Sequence, residues 1–143
     1  MASPLVFVVP GQLGTLTGGS VYNKWIIDTL RQHYKPIDVC ELDNSFPRPT
    51  SAALDHAKNT LAALPTDSIV VIDGLALGAI PEIITLEASR LRIVALIHLP
   101  IAKEIGLEQE TAIKFAASEY RALSACAAIV VTGRTALDML LLY

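Results

Sequence analysis

Residues 5–30 read LVFVVPGQLGTLTGGSVYNKWIIDTL, and this stretch decides the fold. It begins with an apolar run, Leu5–Val9, and continues through a glycine-rich turn. It ends in a segment whose apolar residues recur every three or four positions, namely Val21, Tyr22, Trp25, Ile26 and Leu30. A continuous apolar run is typical of a strand buried on both faces of a parallel sheet. The recurrence at three and four positions indicates a helix. The stretch therefore predicts one strand–turn–helix unit of an α/β domain.

The same alternation recurs along the rest of the chain. Further apolar runs are Ile37–Leu42, Ile69–Ile72, Ile93–Ile97 and Ile129–Val131, with helix-period segments between them. Five such units predict a Rossmann-like three-layer α/β sandwich with a five-stranded parallel sheet. Right-handed crossovers leave few strand orders, of which we favour the Rossmann-like 3-2-1-4-5 over the flavodoxin-like 2-1-3-4-5. The second run carries charged residues, so we expect it to be more exposed than the others.

Length and composition narrow the class of protein. The 143 residues fit a single domain, 1–143, and a content of 52% hydrophobic and 17% charged residues argues against disorder. The net charge of −3, without a run of Lys or Arg, argues against a nucleic-acid-binding surface. The apolar runs are too short to span a bilayer, and the N-terminus lacks the basic segment of a signal peptide. Cys40 and Cys126 lie far apart, which argues against a disulfide scaffold or a zinc site. These features predict a cytoplasmic domain.

The turn after the first strand is the first candidate for ligand binding, because open parallel sheets bind ligands outside the carboxyl ends of their strands. Four glycines fall within Gly11–Gly19, and a helix N-terminus, which suits a phosphate, follows them. The alternative is a plain turn in which Ser20 caps the helix. The glycine spacing matches neither GxGxxG nor a Walker A loop, and this argues against a nicotinamide-dependent oxidoreductase.

Polar residues also follow the third and fourth strands. Asp73 ends the third strand, where a carboxylate can bind a sugar hydroxyl or a cation, or can simply cap the next helix. His98 ends a wholly apolar strand on the cleft side of the predicted sheet, and both a catalytic and a structural role stay open for it. Glu104 either orients His98 or lies solvated at the surface.

Several segments match one family in order along essentially the whole chain. They are Pro10-Gly11, Leu16-Thr-Gly-Gly19 with Tyr22, Ser45-Phe-Pro47, Val71-Ile-Asp-Gly-Leu-Ala-Leu-Gly78, His98-x-Pro100, Glu104-x-Gly-Leu107 and Val130-Val-Thr132. In these segments the chain resembles the N-terminal half of the family-4 GT-B retaining glycosyltransferases. One departure is Leu99, where the family pattern often has a second histidine.

The resemblance implies a fold, an activity and a set of site residues. A GT-B enzyme has two Rossmann-like domains facing each other across a cleft, and this chain would be the acceptor-side half, without the second, nucleotide-sugar domain. The full-length enzyme would transfer a hexose from a nucleotide-sugar to an acceptor with retention, with neither a metal nor another cofactor. The acceptor stays open among lipid, small sugar and protein, and so does association with a membrane. The implied catalytic residue is His98, and the expected substrate or donor contacts are Gly18, Gly19, Tyr22, Asp73 and Glu104. Because most of the donor pocket would lie in the second domain, we expect the isolated chain to be inactive.

The apolar C-terminus supports an alternative function. A last helix is predicted to start near Arg134 and to run on to Tyr143, and its final residues are almost all apolar. Such a helix needs a cover, which the sheet, another chain or the rest of a longer chain can supply. The alternative is therefore a non-catalytic Rossmann-like binding or assembly module that forms a homodimer through this helix.

Overall fold

The computed structural model describes residues 3–34 and 36–143, and these form alternating strands and helices. The strands are β1 (Leu5–Pro10), β2 (Ile37–Leu42), β3 (Ile69–Asp73), β4 (Arg92–Ile97) and β5 (Ala128–Val131). The α-helices are α1 (Gly18–Leu30), α2 (Ser51–Ala62), α3 (Gly74–Leu77), α4 (Pro81–Glu87), α5 (Gln109–Ser124) and α6 (Arg134–Leu140). A short 3₁₀ helix, Ile101–Lys103, lies between β4 and α5. The predicted α/β fold with a five-stranded, all-parallel sheet is confirmed.

The strand order corrects the prediction. The sheet has the order β2-β1-β3-β4-β5, so the favoured order 3-2-1-4-5 is wrong and the flavodoxin-like alternative is the observed one. The charges of β2 explain this outcome. Asp38 and Glu41 are exposed, and a strand that carries exposed charges fits the edge of a sheet. The order 3-2-1-4-5 would have placed β2 between two neighbours and brought both carboxylates under cover.

Helices cover both faces of the sheet and form two apolar cores. The larger core joins alternate residues of β1, β3 and β4, such as Val8, Ile72 and Ala95, to the buried faces of α2, α4 and α5. On the opposite face, Phe7 of β1 packs with Ile27 of α1. The arrangement is the expected three-layer sandwich, in which β1 is buried from both sides.

The fifth strand is less covered than its sequence predicts. Its apolar run indicated burial on both faces, but Ile129 and Val130 are 46% and 44% exposed. These two side chains are exposed because β5 lies at the edge of the sheet, where it pairs only with β4 within the described residues.

Two helix ends also differ from the prediction. Helix α1 begins at Gly18, and its N-cap is Thr17, whose hydroxyl accepts a hydrogen bond from the Ser20 amide, so Ser20 is not the cap. Helix α6 ends at Leu140 instead of running to Tyr143, and it leaves Leu141 and Leu142 exposed. None of the helices in the described ranges is both long and apolar enough to cross a membrane.

Candidate functional site

A cleft opens at the carboxyl ends of the first four strands. The strand order changes direction at β1, since β2 lies on one side of it and β3 on the other. The loops after β1 and β3 therefore diverge, and a crevice forms between them. Its volume is about 1100 Å³, and residues that follow β1, β2, β3 and β4 line it. The cleft is where the sequence places its candidate residues.

Asp73 lies at the base of this cleft and is buried. One carboxylate oxygen, Oδ1, accepts a hydrogen bond of 2.9 Å from the Leu75 amide, so Asp73 caps α3. The other, Oδ2, accepts a hydrogen bond of 2.7 Å from Nδ2 of Asn23 on α1. Asp73 therefore caps α3 with one oxygen and takes part in a buried polar cluster with the other, and its binding of a sugar hydroxyl or a cation stays a prediction.

His98 completes that cluster from the end of β4. Its Nε2 atom lies 2.9 Å from Oδ1 of Asn23 and 3.3 Å from Oδ2 of Asp73. The ring of Tyr22 meets the imidazole edge-on, with centroids 5.2 Å apart and planes at 79°. The side chain of His98 is 22% exposed and lines the cleft. The imidazole is therefore held from the protein side and open to a ligand from the cleft side.

The two glycines at the start of α1 differ in their surroundings. Gly19 lines the cleft, and a Cβ atom built on it would lie 3.5 Å from Cδ2 of His98. A Cβ on Gly18 would meet nothing within 4 Å, and Gly18 does not line the cleft. Thr17 accepts a hydrogen bond from the Ser20 amide at its hydroxyl and another from the Val21 amide at its carbonyl. The amides of Gly18 and Gly19 form no backbone hydrogen bond with the described residues, so both are free to bind an anion.

Glu104 lines the cleft, but within the described part of the chain it forms no hydrogen bond with His98. Of the two roles considered for it, orientation of His98 falls instead to Asn23 and Asp73. The described lining is acidic. Its carboxylates are those of Glu41, Asp43, Asp73 and Glu104, and it contains no Lys or Arg.

The sequence therefore brings together part of the candidate set. His98, Asp73, Gly19 and Glu104 line one cleft, Tyr22 touches His98 from outside the lining, and Gly18 is not part of the lining. Their roles in binding and catalysis stay predictions.

Asn23 is the site residue that the sequence analysis missed. The apolar stripe of α1 had pointed to Val21 and Trp25, yet these are 53% and 61% exposed. The buried face runs instead through Asn23 and Ile27, four residues apart. A polar side chain on a buried helix face needs a partner, and this is the signal that would have identified Asn23.

A second buried carboxyl supports the loop that carries His98. Glu119 of α5 accepts a hydrogen bond of 3.1 Å from the Ile101 amide, at the start of the 3₁₀ helix, and another of 2.5 Å from the Tyr143 hydroxyl. Burial raises the pKa of the Glu119 carboxyl, although both hydrogen bonds act in the opposite direction. Glu119 thus ties the segment after β4 to α5 and to Tyr143.

Within residues 3–34 and 36–143, no three or more His, Cys, Asp or Glu side chains are grouped as a metal site requires. No protein-family model, no curated protein and no solved structure matches this chain.

Proposed function

We propose that this chain is the acceptor-side domain of a retaining GT-B glycosyltransferase, which transfers a hexose from a nucleotide-sugar to an acceptor. The proposal rests on the resemblance of the sequence segments and on one structural observation. Residues chosen from separate segments, Gly19, Asp73, His98 and Glu104, line the same cleft at the carboxyl ends of the strands.

The chemistry of the cleft supports binding of a hydroxyl-rich ligand. The accessible groups combine an imidazole, carboxylates and amides, all of which form hydrogen bonds with sugar hydroxyls. The free amides of Gly18 and Gly19 at the start of α1 would contact the donor diphosphate. Catalysis in such a site depends on positioning the sugar and stabilising the leaving diphosphate.

The charge of the cleft supports the expectation that the isolated chain is inactive. Among the described residues, four carboxylates and no Lys or Arg line it, so this lining attracts a diphosphate only through the backbone amides of α1. Most of the positive charge for the donor would have to come from a second domain. We therefore expect weak binding of nucleotide-sugars by the 143-residue chain and no measurable sugar transfer.

The first test is an NMR titration of the ¹⁵N-labelled chain with UDP-glucose and with GDP-mannose. We expect fast-exchange shifts at the amides of Gly18 and Gly19 and at the His98 ring, at millimolar ligand. A matched pair of variants provides the control, because both His98 and His56 line the cleft but only His98 contacts Asn23 and Asp73. His98→Ala is expected to reduce the shifts several-fold, whereas His56→Ala is expected to leave them nearly unchanged.

The second test is to read the gene beyond the codon for Tyr143. A continuous frame that encodes a second βαβ domain with paired glutamates eight residues apart would support the proposal. His98→Ala should then abolish transfer by the full-length enzyme. A stop codon directly after Tyr143, or rapid transfer by the 143-residue chain alone, would count against it.

The exposed C-terminal residues favour a second candidate, a binding or assembly module that forms a homodimer. Leu141 and Leu142 are 72% and 77% exposed at the end of α6, and pairing with a second copy would cover them. For either candidate we propose a cytoplasmic location, which the two free thiols, Cys40 and Cys126, support because a reducing compartment keeps thiols free.

A further inference from the structure

The buried cluster of Asn23, Asp73 and His98 contains a chain of hydrogen bonds with a fixed direction. It starts at the Leu75 amide, which can only donate, and which donates to Oδ1 of Asp73. A carboxylate accepts at both oxygens. The group that faces Oδ2 of Asp73 at 2.7 Å must therefore be a donor, and the Asn23 side chain meets this need with Nδ2.

The orientation of the Asn23 side-chain amide then decides which atom donates in the hydrogen bond between Asn23 and His98. With Nδ2 turned to Asp73, the Asn23 side chain presents Oδ1, an acceptor, to His98 at 2.9 Å. The ring atom that faces it, Nε2, must carry a hydrogen. The second neighbour of Nε2, the Asp73 oxygen at 3.3 Å, is also an acceptor. Both oxygens next to Nε2 of His98 are thus acceptors, and both require that Nε2 carries the hydrogen.

From this geometry we propose that Asn23 and Asp73 are positioning residues that fix neutral His98 as its Nε2–H tautomer, so that Nδ1 offers a lone pair to the ligand in the cleft. Nδ1 forms no hydrogen bond with the residues the structure describes, and the ring lines the cleft. A lone pair there accepts a hydrogen bond from a hydroxyl and offers nothing to a carbonyl or phosphate oxygen. The ligand class at this position is therefore a hydroxyl donor, such as a sugar hydroxyl.

The surroundings of the ring agree with a fixed orientation. Tyr22 packs against the ring edge-on, and the backbone of Gly19 passes so near that a Cβ atom built on it would touch Cδ2. A flip of the ring would place a carbon atom against Oδ1 of Asn23 and lose both contacts of Nε2. Asn23 and Asp73 act in this way through His98, by fixing its tautomer and its orientation.

The same logic makes a sharp prediction for Asp73→Asn. The Leu75 amide still requires an acceptor, so the new amide turns its oxygen to Leu75 and its NH₂ group toward Asn23. Asn23 must then turn its own oxygen to that NH₂ group, and its Nδ2 faces His98. Nε2 becomes the acceptor, and the neutral ring changes to the Nδ1–H tautomer. Asp43→Asn is the matched control, since it removes the same charge from the same cleft without contacting His98.

The tautomer is read directly from ring ¹⁵N shifts in long-range ¹H–¹⁵N spectra, at about pH 8.5, above the usual titration range of histidine. We expect the Nε2–H form in the unmodified chain and in Asp43→Asn, and a majority of the Nδ1–H form in Asp73→Asn. An Nδ1–H ring in the unmodified chain would overturn the inference, even if Asp73→Asn failed to fold. A folded Asp73→Asn chain that keeps the Nε2–H form would overturn it as well.

The inference rests on the proposed function for its ligand class but not for its geometry. The tautomer measurement needs no ligand, so its failure leaves the sugar-binding proposal standing. If instead the tautomer changes as expected while UDP-glucose and GDP-mannose shift no cleft resonance, the proposed function fails and the positioning role of Asn23 holds.

Discussion

Gly74 follows Asp73 at the point where α3 passes closest to β4. A Cβ atom on this residue would lie 2.7 Å from Cδ1 of Ile97 and 3.4 Å from the Leu96 carbonyl oxygen. Ile97 is fully buried, so its side chain has little room to move away. The absence of a side chain at position 74 therefore allows the close packing that places Asp73 beside His98.

We accordingly expect Gly74→Ala to destabilise the protein by about 1–3 kcal/mol, the usual cost of overpacking a core. Urea unfolding followed by circular dichroism measures the change. Gly14→Ala is the control, since a Cβ there meets nothing within 4 Å, and its effect should stay within about 0.5 kcal/mol. Equal stability of the two variants would show that α3 can shift away from β4 freely.

The sequence predicted His98 and Asp73 at the residue scale because each ends an apolar strand, and strand ends meet at one edge of a parallel sheet. It did not predict Asn23. Val21 and Trp25 offered a more apolar stripe on the same helix, and hydrophobic periodicity alone selected that stripe. The contact between Asn23 and Asp73 joins residues 50 positions apart, and no local pattern encodes it.

At the scale of elements, Glu119 connects α5 to the 3₁₀ helix and to the end of the chain. Because burial raises the pKa of this carboxyl, the folded protein binds its proton more tightly than the unfolded chain does. The unfolded chain then carries fewer protons between the two pKa values, so the free energy of unfolding falls as pH rises through that interval. The interval begins at about pH 4.3, the ordinary value for a glutamate.

Glu119→Gln removes this ionisation. We expect the variant to lose that part of the pH dependence, so that its stability relative to the unmodified chain increases as pH rises from about 4 toward neutral. Urea unfolding at a series of pH values gives the difference. Gln109→Ala, which changes an exposed residue of the same helix without an ionisable side chain, should give a nearly constant difference. A constant difference for Glu119→Gln too would contradict the effect of burial.

The order of the elements was predictable from the chain only in part. Alternation of apolar runs and helical stripes predicted the parallel sheet, since each unit has a local pattern. For β2 the two signals disagreed, because the charges of Asp38 and Glu41 favour an edge strand whereas the usual Rossmann order makes β2 an internal strand. The structure has β2 at the edge, as the charges indicate. The short helix α3 had no stripe long enough to reveal it.

The whole molecule exposes apolar side chains on β5 and at the end of α6. Four of these side chains are each more than 40% exposed, namely those of Ile129, Val130, Leu141 and Leu142. Surfaces of this kind favour association with a second chain. The polar cleft lies at the carboxyl ends of the other four strands, so this surface and the site are built from different segments.

We expect the isolated chain, of 15.3 kDa, to self-associate as its concentration increases, as measured by sedimentation equilibrium. Replacing both Leu141 and Leu142 by Ser should weaken this association at least several-fold. Leu86→Ser changes an exposed leucine of α4 and serves as the control. A chain that stays monomeric at every concentration would argue against the assembly module and leave the glycosyltransferase domain as the better proposal.

The place of β1 between β2 and β3 has a consequence for the synthesis of the protein. Leu5 pairs with Ile37 and with Ile69, partners that leave the ribosome 32 and 64 residues later, since 37 − 5 = 32 and 69 − 5 = 64. At roughly 5–20 residues per second, β1 waits about 3–13 seconds for β3. During that time a nascent β1–α1–β2 unit presents an apolar strand with one unpaired edge. During this interval, before the third strand arrives, the unpaired edge of β1 is open to pairing with another chain.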